Sequence, residues 1–376
     1  MKKIKINILS PGRFHVCDLA RELDKNGFDV KFYSFVPSKR AMEFGLPKHC
    51  STSLFYLMIP FLIIQKKLFK KQKWASILST KVQDFLTAIL MRKCDILIAM
   101  SGSFVYAVEK AKKDGSIIIL ERGSKHILEQ KKVLESIPSL KKKKTVPNIN
   151  IQRELKGYEL ADYIAVASQH VVESFKPYPY SQKKLFKNPY GVDLRMFAPQ
   201  PQIEKKYDFI MVGGWGYRKG CDLIIEAIRK TNYTFLHVGG IVDLDFPQED
   251  RFTHVDAVDQ SQLINYYNQA KISILPSREE GLAMVQAQAI ACNLPLIGSK
   301  DSGAEDLQQM VEDPQYITLI EDYTPEALIK AMNRAMENYP NLKNKTYAGH
   351  AIKNLTWEAY GKRYADFLNT IKKNNL

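Results

Sequence analysis

Two glycine-bearing turns hold the residues of this 376-residue sequence best suited to chemistry on a phosphate group. One reads Pro276-Ser277-Arg278-Glu279-Glu280-Gly281-Leu282-Ala283-Met284-Val285. An apolar strand ends there, a carboxylate stands in the loop, a glycine permits close approach, and a helix begins. Unpaired amides at a helix start, at the positive end of its dipole, form an anion site. A diphosphate would lie against Gly281, Leu282, Ala283, Met284 and Val285, with Glu280 one turn away to accept hydrogen bonds from sugar hydroxyls. The plainer alternative is a first-turn carboxylate that favours the dipole. The other turn reads Val212-Gly213-Gly214-Trp215-Gly216-Tyr217-Arg218-Lys219-Gly220. Gly213 and Gly214 keep a strand-to-helix turn open, and Arg218 and Lys219 set positive charge beside it. Cations so placed stabilise the charge that develops on a leaving nucleoside diphosphate. Its plainer alternative is a glycine-rich turn with two solvated bases. Lys219 precedes Gly220 rather than Ser or Thr, so the turn is not a Walker loop. The pair Asp243 and Asp245 falls in a later loop, not where it would hold a metal at the diphosphate, so the two bases are expected to replace a divalent ion.

The elements that must position these turns follow from periodicity. Short apolar runs at 3–9, 30–34, 95–99, 117–120 and 163–167 read as strands separated by helical patterns. Val16–Asn26, with Gly27 as its stop, is one such helix. After a Pro-rich stretch, Phe197 to Gln202, the alternation restarts. Strands are expected at 208–212, 234–238, 272–275 and 295–298, and helices at 221–229, 260–269, 284–291, 325–338 and 357–373. Alternating strands and helices imply parallel sheets covered on both faces. The expected architecture is α/β: two doubly wound, Rossmann-like domains facing across a cleft. The expected boundaries are 1–190 for a first domain, 191–206 for a linker, 207–355 for a second domain, and 356–376 for a helix packing back on the first domain. Ligands of open parallel sheets sit beyond the carboxyl ends of the strands, which puts the site in the cleft.

Charge is lopsided. Residues 1–190 hold 35 Lys and Arg against 16 Asp and Glu, whereas residues 191–376 hold 20 against 24. A basic field is therefore confined to the first half. There, Leu54 to Trp74 begins apolar and ends basic (Lys66, Lys67, Lys70, Lys71, Lys73), and Lys141 to Lys144 form a run between two prolines. That composition suits a segment lying at an anionic bilayer surface, each base adding about 1 kcal/mol. The competing reading is a buried helix with a solvated basic end. The longest apolar run, eleven residues from Leu54 to Ile64, is too short to span a membrane. Five scattered cysteines without a Cys-x-x-Cys spacing suit a reduced, cytoplasmic compartment and no structural zinc. Despite the basic half, no pattern that reads nucleic-acid bases is present.

The two turns, in this order, resemble glycosyltransferase family 4, which has the GT-B fold. The pieces are Lys219-Gly220, Pro276-Ser277, Glu280-Gly281, Ala291-Cys292-Asn293-Leu294-Pro295 and Gly303-Ala304-Glu305, preceded by Asn188-Pro189-Tyr190-Gly191-Val192-Asp193 and by Asp162 and Ser168. The resemblance is dense over 160–310. It implies a retaining, metal-independent transferase without a cofactor, moving a sugar from a nucleoside-diphosphate donor (UDP- or GDP-linked) to a saccharide acceptor, lipid-linked, in bacterial surface polysaccharide synthesis at the inner membrane face. It also implies that the domain 1–190 binds the acceptor and faces the membrane, that the domain 207–355 binds the nucleotide sugar, and that Gly12, in the first strand-helix turn, faces the donor phosphates. Two positions depart from the pattern. The second glutamate, eight residues after Glu280, is Gln288, which keeps hydrogen bonding without the charge, and the arginine after the first glycine is Gly214, leaving Arg218 to supply that charge. His126 ends the stretch Glu121-Arg122-Gly123-Ser124-Lys125-His126 after a strand, so it is expected in the cleft, orienting the acceptor hydroxyl. A structural histidine is the alternative, and His15 is a weaker candidate. Gln288 keeps open a second reading, a catalytically weak nucleotide-sugar-binding subunit. A GT-B epimerase or phosphorylase fits the basic half less well.

Overall fold

The computed structural model describes residues 3–68, 73–141, 146–179, 184–343, 345 and 354–374. Two parallel sheets organise the chain. The first uses β1 (Lys5–Ser10), β2 (Asp29–Ser34), β3 (Ser51–Ser53), β4 (Ile96–Met100), β5 (Ile117–Arg122), β6 (Tyr163–Val166) and β7 (Leu185–Lys187), in the spatial order β3-β2-β1-β4-β5-β6-β7. The second uses β8 (Tyr207–Val212), β9 (Phe235–Val238), β10 (Phe252–Val255), β11 (Ala270–Leu275), β12 (Leu296–Gly298) and β13 (Ile317–Leu319), in the order β10-β9-β8-β11-β12-β13. The central strands are near-continuous apolar runs, as burial on both faces requires. Ile6 and Ile8, and likewise Phe209, Ile210 and Met211, are fully buried. Each sheet runs outward from its first strand and then reverses, so each has a switch point, between β1 and β4 and between β8 and β11. That point is where doubly wound sheets bind ligands.

The helices cover these sheets in chain order. In the first half they are α1 (Phe14–Lys25), α2 (Ser38–Glu43), α3 (Phe55–Leu68), α4 (Lys73–Leu90), α5 (Val105–Lys113), α6 (Ile127–Ser136), α7 (Asn148–Leu160) and α8 (Gln169–Phe175). In the second they are α9 (Cys221–Arg229), α10 (Leu263–Asn268), α11 (Met284–Ala291), α12 (Ala304–Gln308), α13 (Pro325–Leu342) and α14 (Trp357–Asn374). The last of these leaves the second sheet and returns to the first. Tyr360, Tyr364, Leu368 and Ile371 of α14 are buried in one cluster with Val16, Leu19 and Leu23 of α1. The Tyr364 hydroxyl donates to Glu121 Oε1 at the end of β5, 2.7 Å away. Arg363 hydrogen-bonds Asn188 Oδ1 and the Pro189 carbonyl, so the segment joining the two sheets and the returning helix brace each other.

Where the segment 54–74 was expected to lie along a bilayer, residues 55–68 form α3, with Pro60 inside it, and α4 follows from Lys73. Leu54 and Met58 are buried, whereas Tyr56, Leu57 and Ile63 are exposed. Positions 69–72 and 142–145 lie outside the described residues, which takes in Lys70, Lys71 and three lysines of the 141–144 run. Among the described residues no helix is long and apolar enough to cross a membrane.

Candidate active site

The turns after β8 and β11 meet at the second sheet's switch point. Gly220 is the contact: it adopts φ 75°, and a Cβ there would stand 2.3 Å from the Pro276 carbonyl oxygen. A left-handed backbone conformation with no room for a side chain accounts for glycine directly after Lys219. Backbone and side-chain bonds then lace the turns together. The Arg278 amide donates to the Arg218 carbonyl at 2.9 Å, and the Arg278 guanidinium bonds the Tyr217 carbonyl and Asp222. This lacing delivers both bases to one carboxylate. Lys219 Nζ pairs directly with Glu280 Oε1, Arg218 Nη2 lies 3.4 Å from the same oxygen, and Ser277 Oγ lies 3.3 Å from it. The Lys219 and Glu280 side chains are 15% and 14% exposed, and that of Arg218 is 42% exposed. Burial alone would lower the Arg218 guanidinium's affinity for its proton, but Glu280 and Glu279 outweigh it and the net shift is upward.

Beside this cluster α11 begins at Met284, and no side chain caps its first turn. Leu282 and Ala283 are buried and Met284 and Val285 partly so, which leaves the loop backbone as the polar part of this stretch. Gln288 is on α11 with its carbonyl oxygen already engaged by the buried Tyr267 hydroxyl at 3.1 Å. The glycine turn before Arg218 is open at Gly213 and crowded at Gly214 and Gly216. The Gly213 carbonyl accepts from His237 Nε2 at 2.8 Å, Gly214 packs against Val242, and Asp243 accepts the Tyr217 amide at 3.0 Å. Gly12 sits at the other switch point, after β1, where its neighbour Arg13 reaches across to Gln260 at 2.9 Å.

His126 is not brought to the cleft. Its residue caps the start of α6, and its ring is buried, stacked on Tyr178 at 3.7 Å and edge-on to Phe175 at 4.9 Å. Burial, then the Arg122 charge, lowers its pKa to about 4, so the ring is neutral at ordinary pH. The segment bends after Lys125, and it is Ser124 and Lys125 that face the second half. His15 is buried too, bonded to Glu121 Oε2 at 2.9 Å.

Several residues that carry the geometry escaped the sequence reading. Glu279, fully buried, accepts the Ser124 hydroxyl and also Gln130 Nε2 at 3.1 Å and Arg218 Nη1 at 3.3 Å. Burial would raise its pKa, but the Ser124 hydroxyl, the Arg218 charge and the Gln130 amide bring it below the ordinary carboxylate value. Lys125 Nζ pairs with Asp301 at 2.6 Å, and the Tyr323 hydroxyl donates to the other Asp301 oxygen at 2.6 Å. Burial opposes ionisation of Asp301 as well, but these two partners prevail and its pKa falls. His170 Nε2 donates to the Glu280 carbonyl at 2.9 Å, and Ser168 Oγ to the Gly281 carbonyl at 2.6 Å. A Cβ on Gly281 would meet the Gly123 carbonyl oxygen at 2.4 Å. The close approach expected at Gly281 is thus made by the backbone of the first half. Ser168 was legible as part of a motif, and Lys125 lies in a stretch read only for His126, whereas Gln130, Asp301 and Tyr323 lie in segments without a motif.

Comparison with known proteins agrees with this fold. Residues 194–351 match the family model described as glycosyl transferases group 1. A probable sucrose-phosphate synthase of Thermosipho melanesiensis is 24% identical over 258 residues, 61% of this chain and 58% of the relative. A GDP-mannose-dependent phosphatidylinositol monomannoside mannosyltransferase of Mycolicibacterium smegmatis is 23% identical over 243 residues, 56% of this chain and 62% of the relative. The matched segments thus span about three fifths of these curated relatives. Among solved structures, sucrose-phosphate synthase of Thermosynechococcus elongatus superposes with TM-score 0.68 over 99% of this chain and 100% of that one, at 17% identity. Anabaena HepE, in complex with UDP and glucose, superposes with TM-score 0.67 over 97% and 99%, at 14% identity. The chain has the GT-B fold, and its residues 194–351 resemble the glycosyl transferases group 1.

Proposed function

We propose that this chain is a retaining glycosyltransferase that moves a sugar from a nucleoside diphosphate to a saccharide acceptor. The observation that carries the reading is the convergence of Lys219 and Arg218 on Glu280 at the switch point beside the start of α11. A diphosphate competes for these two cations and for the α11 amides, and the charge it gains on departure is met by both. Glu280, released from Lys219, then accepts hydrogen bonds from the sugar hydroxyls. The acceptor attacks from the face the phosphate leaves, and that phosphate takes the acceptor proton, so the anomeric configuration is kept. The basic pair supplies the charge that a divalent ion would otherwise bring, so the reaction runs without added metal. Solved relatives support the donor class: HepE is described in complex with UDP-glucose, and the pneumococcal O-GlcNAc transferase GtfA with UDP and GlcNAc.

For the acceptor, a polar cavity of about 370 Å³ opens at the carboxyl ends of β4 and β5, lined by Ser101, Ser103, Arg122, Gln130, Asn150 and Glu154. Arg122 and Glu154 pair at 2.8 Å, so the cavity offers hydroxyl-binding groups rather than net charge. A lipid-linked acceptor at an anionic inner membrane face is the fitting class. Tyr56, Leu57 and Ile63 of α3 and Phe85 and Ile89 of α4 are exposed apolar side chains in the strongly basic half. WaaG, described as involved in lipopolysaccharide biosynthesis, shares the fold at TM-score 0.62 over 96% of this chain and 13% identity.

Thermal-shift screening against UDP, GDP, ADP and their sugars, followed by turnover of the stabilising donor, tests the reading, since a ligand bound by the folded form raises the midpoint. No shift with any of them would refute it. Flotation with anionic vesicles tests the membrane part, and absence of binding at low salt would end it. The placement of Gln288 against Tyr267 favours examining a second reading, a nucleotide-sugar-binding subunit of weak activity. Donor hydrolysis without acceptor separates it from an enzyme.

A further inference from the structure

We propose that Glu279 is a positioning residue, which fixes Arg218 at the diphosphate only when the two halves of the chain are in contact. The proposal rests on the donor-site reading above. A carboxylate has about four acceptor positions, and at Glu279 four donors occupy them. Oε1 takes the Ser124 hydroxyl and the Lys125 amide at 3.4 Å; Oε2 takes Gln130 Nε2 at 3.1 Å and Arg218 Nη1 at 3.3 Å. Three of the four come from the first half, and Arg218 is the one that comes from the second. A fully buried carboxylate is tolerable only with such a set, because stripping a buried charge of its partners is strongly unfavourable. Parting the halves would remove three donors at once and admit water.

Arg218 is held at two points, Nη1 by Glu279 and Nη2 by Glu280. The two acids differ in what they can do. Glu280 is reached by Lys219 and Ser277 and lies at the cleft, so a diphosphate and sugar can rearrange it. Glu279 has no exposed surface and cannot follow a ligand. It keeps the guanidinium in place while Glu280 changes partners. Gln130 extends the link, because its Oε1 accepts from Arg122 Nη2 at 2.9 Å and both residues line the polar cavity assigned to the acceptor.

The test is calorimetric binding of UDP, GDP and ADP to the full chain as wild type, Glu279→Gln, Arg218→Ala and the double variant. Glu279→Gln keeps the side-chain volume and guards against misfolding. The expected result is about tenfold weaker binding of the preferred nucleotide by Glu279→Gln, as for loss of one charge-assisted bond, with the double variant no weaker than Arg218→Ala alone. A merely structural role would weaken binding in the Arg218→Ala background as well. Wild-type affinity in Glu279→Gln, or losses that multiply in the double variant, would overturn the proposal and leave the donor site standing. Wild-type protein that binds none of the three nucleotides would overturn the donor-site reading and this proposal with it.

Discussion

Replacing Gly281 by alanine should uncouple activity from stability. The new Cβ would stand 2.4 Å from the Gly123 carbonyl oxygen, 2.7 Å from its carbon and 3.2 Å from the Ser124 nitrogen. All three are backbone atoms of the other half, so no side chain can turn aside. Ordinary contact lies near 3.5 Å, and the two loops must therefore separate by about 1 Å. Overpacking of this kind costs about 1–3 kcal/mol, which a protein of this size survives with a lowered midpoint. The energetic effect on catalysis is comparable but falls on a protein that is still folded, because the contacts beside Gly281 are the ones that set the site. The Ser124 and Lys125 bonds to Glu279, and the 2.6 Å pair of Lys125 with Asp301, lengthen together. A misplacement near 1 Å costs about 100-fold in rate. The assay is turnover of the donor found by screening, alongside thermal denaturation. Turnover within threefold of wild type would refute the reasoning, since it would show that the contact between Gly281 and Gly123 does not position the site.

Further outcomes follow from the same geometry. Lys219→Ala is expected to lower kcat/KM by about 10²–10³-fold, the usual cost of losing a group aimed at developing charge, and kinetics with the same donor checks it. Gly220→Ala combines a left-handed conformation with a 2.3 Å clash on the Pro276 carbonyl oxygen, so it should destabilise by about 2–5 kcal/mol, read by urea denaturation. His126 is held at a pKa of about 4, below its ordinary value. The unfolded chain thus takes up the proton first, and stability falls as pH drops from about 6.5 to 4, by up to about 3 kcal/mol. His126→Phe should reduce that slope, with the share of His237, also lowered to about 4 by burial, remaining, while leaving the pH dependence of turnover unchanged, which comparing denaturation curves with rate profiles would decide.

The central strands were legible because burial on two faces writes them as apolar runs. All four edge strands were not. β3 is Ser51-Thr52-Ser53, half-buried throughout, and β7 and β13 are likewise three residues long. An edge strand is held by the backbone of one neighbour, here Phe32 to Ser51 through Ser34 to Ser53, and needs no apolar pattern of its own. The site divides in the same way. Lys219, Arg218 and Glu280 were readable because each lies in a turn whose local pattern demands glycine, a base or a helix start. Ser124 and Glu279 are 155 positions apart, and Lys125 and Asp301 are 176 apart. No local rule links such pairs; the folded contact between the halves creates them. His126 failed for a related reason. A residue just past a strand end can face the cleft or turn into the body of the domain, and Tyr178 and Phe175, which draw the ring inward, come from beyond α7.

The net charge of the halves conceals how the site balances itself. The second half is slightly acidic, yet its cleft presents Lys219 and Arg218. Each is paired with a carboxylate, and Lys125 arrives from the basic half already matched by Asp301. A diphosphate entering such a neutral cluster must take cations from acids that hold them, and burial decides which acid yields. Glu279 has its four acceptor positions filled and no path to water, so losing Arg218 would strand a charge. Glu280 keeps a partly exposed side chain and, in the proposed reaction, takes a new role once released, accepting sugar hydroxyls. On the proposed reading, two adjacent glutamates of identical chemistry have different duties, one fixed and one exchangeable. A donor lacking its sugar should accordingly leave Glu280 without its replacement partners and bind less favourably than the complete nucleotide sugar.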